Sequence, residues 1–216
     1  MIKPQKNKPV EKLERIIKNG LRGFEKMLKI DNSERPLSYF EAFLKDKTVA
    51  SITPSSKYLV RRVIKAMDIQ HSHHLVVEYG AAEGVLTKEV LKLLPSQALL
   101  LAIEKSPILY ETLTQLKHPN LKAVCGDVLE IDKLLKQEAT QEADCIVSGI
   151  PFSFLKPEER EELLKKTTHH LKPSGRFVAY QCTTHLIPLL KKHFRKVQVE
   201  FEIRNIPPHF VFTGIK

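Results

Sequence analysis

Nowhere in the 216 residues does an apolar run reach the roughly 18 needed to cross a bilayer. The opening stretch, MIKPQKNKPVEKLERIIKNG, carries positive charge but lacks the continuous apolar segment of a secretory leader. The chain is therefore expected neither to span a membrane nor to be exported. Cysteine is scarce: Cys125, Cys145 and Cys182 are an odd set, and each lies in an apolar run of the kind that becomes a buried strand. That predicts reduced thiols in a cytoplasmic protein and no disulfide framework. Internal repeats and low-complexity tracts are also missing, so solenoid architectures are excluded.

What is present suits a single packed body. Hydrophobic residues make up 42% and charged residues 28%, too much apolar material for a disordered chain. A net charge of +10 favours an anionic partner. Residues 1–29 hold nine Lys/Arg against three Glu and so supply +6 of that charge. In the same segment Val10, Leu13, Ile17, Leu21, Phe24 and Leu28 recur at three- and four-residue intervals, which predicts a basic amphipathic helix. Gly20 and Gly23 weaken it by about 1 kcal/mol each relative to Ala. Residues 31–36 read as a linker, dividing the chain into an N-terminal helix and linker over 1–36 and a domain over 37–216.

A second helix is expected after Thr53-Pro54-Ser55-Ser56, capped by a hydroxyl, with Leu59, Val60, Val63, Ile64 and Met67 on one side. From His74 onward strand-like and helix-like runs alternate: LVVEY, VLTKEVLKLL, ALLLAIE, a helix near Leu109 to Leu116, LKAVC, a helix near Leu129 to Glu138, and ADCIVSG. Such alternation predicts a parallel sheet. A helix from Pro157 closes at LKPSG and RFVAYQC follows as a fifth strand. The last two strand-like runs, KVQVEFEIRN and HFVFTGI, are joined by a link too short for a parallel crossover, so they should pair antiparallel.

The first strand runs through Glu78-Tyr79-Gly80-Ala81-Ala82-Glu83-Gly84 straight into a helix, placing small residues where backbone approaches a ligand. The spacing is G-x-A-x-G with an acid two positions before the first glycine, not the G-x-G-x-x-G of dinucleotide sites and not a P-loop. A carboxylate there suits a ligand bearing ammonium and sulfonium charge, as S-adenosylmethionine does. Glu104, closing the second strand, is placed to accept both ribose hydroxyls, and Asp127, after the third, to accept from an adenine amine. Ser148 to Phe152 end the fourth strand where a reactive methyl would sit. Glu78, Gly80, Ala82, Gly84, Glu104, Asp127 and Ser148 are thus the candidate cofactor contacts.

In these motifs and their order the chain resembles class I Rossmann-type methyltransferases over roughly residues 48–216. The resemblance implies an α/β fold with a seven-stranded sheet, parallel except for one antiparallel C-terminal strand, plus the N-terminal amphipathic helix. More narrowly, Phe40 to Ser56, the Val147-Ser148-Gly149-Ile150-Pro151-Phe152 strand end, Gln181 and Asn205-Ile206-Pro207-Pro208 resemble bacterial phospholipid N-methyltransferases. That likeness implies methyl transfer to phosphatidylethanolamine or another amino-lipid at the inner face of the cell membrane, reached through residues 1–29. The same family is similar to ribosomal RNA adenine dimethylases, whose fourth strand ends in Asn-Leu-Pro-Tyr. Here Ser148 replaces the Asn, and no basic domain follows the sheet to grip RNA. The loop departs from the family at Ala82 and Glu83.

Transfer to an amine needs a neutral nitrogen about 3 Å from the methyl. Tyr39, Tyr58 and His209 are the candidate proton acceptors. Phe152, Phe154 and Tyr180 could face an accumulating cation, with core packing the simpler reading for Tyr180. His71, His73, His74, His169 and His170 have no Cys or carboxylate at ligand spacing, so no metal is expected. Three functions remain open: an amino-lipid methyltransferase, an RNA or small-amine methyltransferase, and a non-catalytic member of the fold. The sequence carries no signal for oligomeric state.

Overall fold

The computed structural model describes residues 55–137 and 142–216. The basic helix, the linker, Tyr39 and most of the Phe40 to Ser56 motif lie outside those residues. Helix α1 (Lys57–Met67) is capped as expected: the Ser56 hydroxyl accepts the Leu59 N–H at 3.2 Å. It buries Leu59, Val60, Val63 and Met67, while Ile64 stays half-exposed.

The alternation then follows the sequence reading: β1 (Leu75–Tyr79), α2 (Val85–Leu91), β2 (Leu99–Glu104), α3 (Pro107–Thr114), β3 (Leu121–Cys125), α4 (Ile131–Gln137), β4 (Ala143–Ser148), α5 (Pro157–His170), β5 (Leu171–Gln181), α6 (Leu186–His193), β6 (Lys196–Glu202) and β7 (His209–Ile215). The seven strands are ordered β3-β2-β1-β4-β5-β7-β6. β7 runs antiparallel to both β5 and β6, and the other six share one direction. The seven-stranded sheet with one reversed strand near its C-terminal edge is therefore present.

Because side chains alternate along a strand, the inner strands feed two cores. Leu75, Val77, Tyr79, Ile146, Phe177 and Phe212 pack with Leu134, Leu163 and Leu190 from α4, α5 and α6. Val76, Leu100, Val147, Val178 and Val211 pack with Leu59, Val63, Leu86 and Val90 from α1 and α2. Among the described residues no helix is long and apolar enough to cross a membrane.

Two expectations are corrected. The fifth strand starts at Leu171, not Arg176: Leu171 pairs with Ala143, the chain then bulges through Ser174 in the left-handed region (φ 64°), and Arg176 pairs with Cys145. Lys-Pro-Ser-Gly therefore marks an irregularity inside the strand as well as the end of the helix. Cys125 is exposed, because β3 is the sheet's outer strand, whereas Cys145 is buried at the centre.

Candidate functional site

The strand order reverses between β1 and β4, and at such a point the loops leaving the two strands part to open a crevice. Tyr79 pairs with Ser148 across this boundary, and the Gly149 N–H donates to the Tyr79 carbonyl at 3.0 Å. The two exits are packed closely: a Cβ on Gly80 would stand 2.9 Å from Ile150 Cγ1, and one on Gly149 would stand 2.6 Å from the Tyr180 hydroxyl. Glycine is required at both positions, at Gly80 for its φ of 71° as well.

The loop after β1 turns through Gly80, Ala82 and Gly84, all left-handed, at φ 71°, 51° and 79°. Its shape is held from β2. One Glu104 oxygen accepts the Ala82 N–H at 2.8 Å and the other accepts the Ser106 N–H at 2.8 Å. The side chain sits at the end of the strand, only 7% exposed. Beside it the buried Ser106 hydroxyl has no hydrogen-bond partner among the described residues. Ser106 was missed in the sequence, where a serine before Pro107 reads as a helix cap, yet its side chain makes no cap hydrogen bond.

Glu78 lies beneath the loop, wholly buried, and accepts the Thr87 hydroxyl at 2.7 Å. Burial pushes its carboxyl up to about 8, against the pull of Thr87 and with a smaller push from the Glu104 charge. Asp127 caps the turn after β3: one oxygen accepts the Leu129 N–H at 2.9 Å and the other meets Lys105 Nζ at 2.8 Å. Burial raises its carboxyl, but Lys105 and the Leu129 amide together hold it below the usual carboxylate value. Glu104, Asp127 and the two glycine exits stand at the ends of four neighbouring strands, β3-β2-β1-β4.

At β4 the Ser148 hydroxyl is fully buried and turned inward, accepting the Ile150 N–H at 3.3 Å. The following loop is fixed by Gln181, whose side-chain oxygen accepts the Phe152 N–H at 3.1 Å and whose amide donates to the Thr183 carbonyl at 3.0 Å. Phe152 is 2% exposed and meets Phe177 edge-on at 6.2 Å, while Phe154 is exposed. Tyr180 is half-buried beside His209, with ring centroids 6.4 Å apart.

His209 begins β7. Its Nδ1 is 2.8 Å from the Pro207 carbonyl and 3.0 Å from the Asn205 amide. Burial lowers its pKa below the usual histidine value, against the raising effect of the Pro207 carbonyl. The Cys182 sulfur is 3.6 Å from both ring nitrogens, an equality that a directed bond to either one would not give. Asn205 also accepts the Ser56 N–H at 2.8 Å, fastening the β6–β7 turn to the start of α1. Tyr58, the second residue of α1, lies under the Arg204 guanidinium, 4.3 Å from the ring centre, with Lys57 Nζ at 5.3 Å.

A buried carboxylate at the end of β2, an unsatisfied hydroxyl next to it and a left-handed small-residue loop together fit a nucleoside with a ribose diol and a short charged tail.

A family model described as a methyltransferase domain matches residues 76–175. An ornithine lipid N-methyltransferase of Singulisphaera acidiphila is 29% identical over 167 residues, which cover 74% of this chain and 84% of that protein. A ribosomal RNA small subunit methyltransferase A of Mycoplasma mycoides is 33% identical over 96 residues, 44% of this chain and 35% of that protein. Among solved structures, the N-methyltransferase NodS of Bradyrhizobium japonicum superimposes with a TM-score of 0.61 at 12% identity, covering 73% of this chain and 93% of that one, a likeness of fold.

Proposed function

We propose that this chain, which belongs to the S-adenosylmethionine-dependent methyltransferases, transfers methyl groups to the amine of a lipid head group. The observation that carries the lipid reading is the extent of the two likenesses. The ornithine lipid enzyme is matched over 84% of its length, the ribosomal RNA enzyme over 35%. A match confined to a third of a protein accords with a shared cofactor-binding core; one spanning most of both chains supports a likeness that extends beyond that core.

The cofactor, when bound, supplies an electrophilic methyl on a sulfonium sulfur. Glu104 and the Ser106 hydroxyl would hold its ribose, and the Gly80–Gly84 loop would lie against its tail, with Asp127 at the base. Ser148 is fully buried and its hydroxyl accepts the Ile150 amide, which favours a part in shaping the β4 exit over a grip on the acceptor. Its role is to set the turn that brings Gly149 and Ile150 against Gly80. Orientation of the amine at this mouth supplies most of the acceleration.

The amine must be neutral to attack. Of the candidate acceptors, His209 is favoured by its surroundings: burial lowers its pKa, and in the tautomer that donates Nδ1–H to the Pro207 carbonyl, instead of accepting the Asn205 amide there, Nε2 carries the lone pair that would take the proton. The ring of Tyr58 lies under Arg204 and beside Lys57, two cations that serve better as head-group contacts. The basic segment 1–29 would bring the domain to anionic lipid.

Radiolabelled S-adenosylmethionine incubated with the full chain and anionic liposomes containing phosphatidylethanolamine or ornithine lipid tests the reading, beside ribosomal RNA and an acceptor-free control. Label in the lipid phase is expected. Label in RNA alone would replace the lipid acceptor by a nucleic-acid one, and no transfer to any acceptor would favour a non-catalytic member of the fold.

A further inference from the structure

Six large hydrophobic side chains are strongly exposed among the described residues, and they are unevenly placed. Ile203 (68%) and Ile206 (60%) stand in the turn between β6 and β7, and Phe154 (64%) follows β4. All three are at the edge where the parallel strands end and the crevice opens. Single exposed apolar residues are ordinary on a soluble surface; two at the tip of one turn, with a third on the same edge of the sheet, mark something that covers them.

The β6–β7 turn is firmly held. Asn205, between the two isoleucines, is 3% exposed, accepts the Ser56 N–H at 2.8 Å and donates to the Pro207 carbonyl at 2.8 Å. Glu202 is 1% exposed and takes both the Arg204 and Arg62 guanidinium groups, with Arg62 also reaching Glu200 at 2.5 Å. The isoleucines are thus projected by a fixed scaffold. Around them the charge is cationic: Arg62 and Arg204 offset Glu200 and Glu202, and Lys57 and Arg61 on α1 are exposed beyond that balance. Arg204 and Lys57 flank the Tyr58 ring. Apolar tips, a ring of intermediate polarity and basic side chains with long stems are what the boundary layer of an anionic bilayer accepts.

We propose that the β6–β7 turn is a lipid-contacting wedge: Ile203 and Ile206 enter the acyl boundary of an anionic lipid surface while Arg204 and Lys57 rest against head-group phosphates. Its purpose rests on the amino-lipid reading above, for it turns the crevice mouth toward the layer that holds the acceptor. It is separate from the basic segment 1–29, which lies some 170 positions earlier in the sequence.

The chain contains no tryptophan, so one introduced residue reports its own surroundings. Full-length Ile206→Trp and Ile203→Trp proteins, with Leu93→Trp at the opposite edge as control, are mixed with vesicles of phosphatidylglycerol and phosphatidylcholine that contain no amino-lipid. Emission at 206 and 203 is expected to shift to the blue and to be quenched by brominated acyl chains, while 93 is unchanged. The Ile203→Ser/Ile206→Ser double variant should partition about tenfold more weakly into the same vesicles. Absence of a shift in protein that sediments with vesicles overturns the wedge, as does failure to sediment at all. A tryptophan already shifted in buffer and unaltered by vesicles overturns it too, assigning the tips to a contact with residues 1–54 of this chain. Insertion at 203 and 206 without methyl transfer to any amino-lipid would remove the acceptor reading alone.

Discussion

The Glu104 carboxylate accepts the backbone N–H of Ala82 at 2.8 Å, across 22 positions of sequence. Its second oxygen accepts the Ser106 amide at the same distance, so one side chain ties together the loops that follow β1 and β2. Removing it would disturb the loop and, on the proposed function, the contact with the ribose as well.

Glu104→Ala is accordingly expected to weaken S-adenosylmethionine binding at least a hundredfold by calorimetry, given about 1.5 to 3 kcal/mol for each hydrogen bond to a charged group. Glu104→Gln retains one acceptor oxygen and should fall between. Wild-type affinity in the alanine variant would place the cofactor elsewhere.

Ala82 holds a left-handed backbone at φ 51°, where a side chain costs about 1 to 2 kcal/mol. Ala82→Gly should therefore raise the melting temperature by about 2 to 4 °C, some of the gain being offset by chain entropy. Ala82→Val should lower it. Thermal unfolding of the two variants checks the sign of each.

Glu78 is buried and its carboxyl is raised from 4.5 to about 8. Between those values the folded chain binds more protons than the unfolded one, so its contribution is fully present below 4.5 and is lost as pH rises through 8. Glu78→Gln keeps the Thr87 hydrogen bond without the charge. Its stability relative to wild type should grow from pH 5 to pH 8 and then level, as measured by urea unfolding across that range; a constant difference would mean that Glu78 titrates normally.

His209 is held neutral by burial, its pKa below 6.5. If Nε2 receives the proton, kcat/KM is insensitive to this group at neutral pH and falls as pH drops through that lowered value. His209→Gln should reduce kcat about a hundredfold and leave cofactor affinity unchanged. An unaltered kcat would make His209 a partner of Pro207 and Asn205 in the turn and nothing more.

Much of the framework was legible because each signal was local. Gly80 and Gly84 punctuate a strand-to-helix turn, and the Ile-Pro-Pro link is too short for anything but a hairpin. Lys-Pro-Ser-Gly looks like a helix stop wherever it falls, so the sequence alone ends the helix at Leu171; the pairing of Leu171 with Ala143 depends on a neighbouring strand. Likewise, periodicity does not reveal that β3 lies at the sheet's edge and leaves Cys125 in solvent. Asn205 was visible as part of a motif, but its bond to Ser56 spans 149 positions and belongs to tertiary packing. The inward turn of the Ser148 hydroxyl is set by the backbone two residues on, which composition does not encode.

On the proposed function, the reversal of strand order between β1 and β4 would separate two kinds of labour. Glu104, Ser106 and Asp127 sit on the β1-β2-β3 side, whereas Tyr180, Gln181, Asn205 and His209 sit on β5, β7 and the turn before β7. A lineage could therefore exchange one amine for another by altering the second group while inheriting the methyl-donor side intact. The Gly149–Tyr180 and Phe152–Gln181 contacts are the seams along which such retuning would have to be matched.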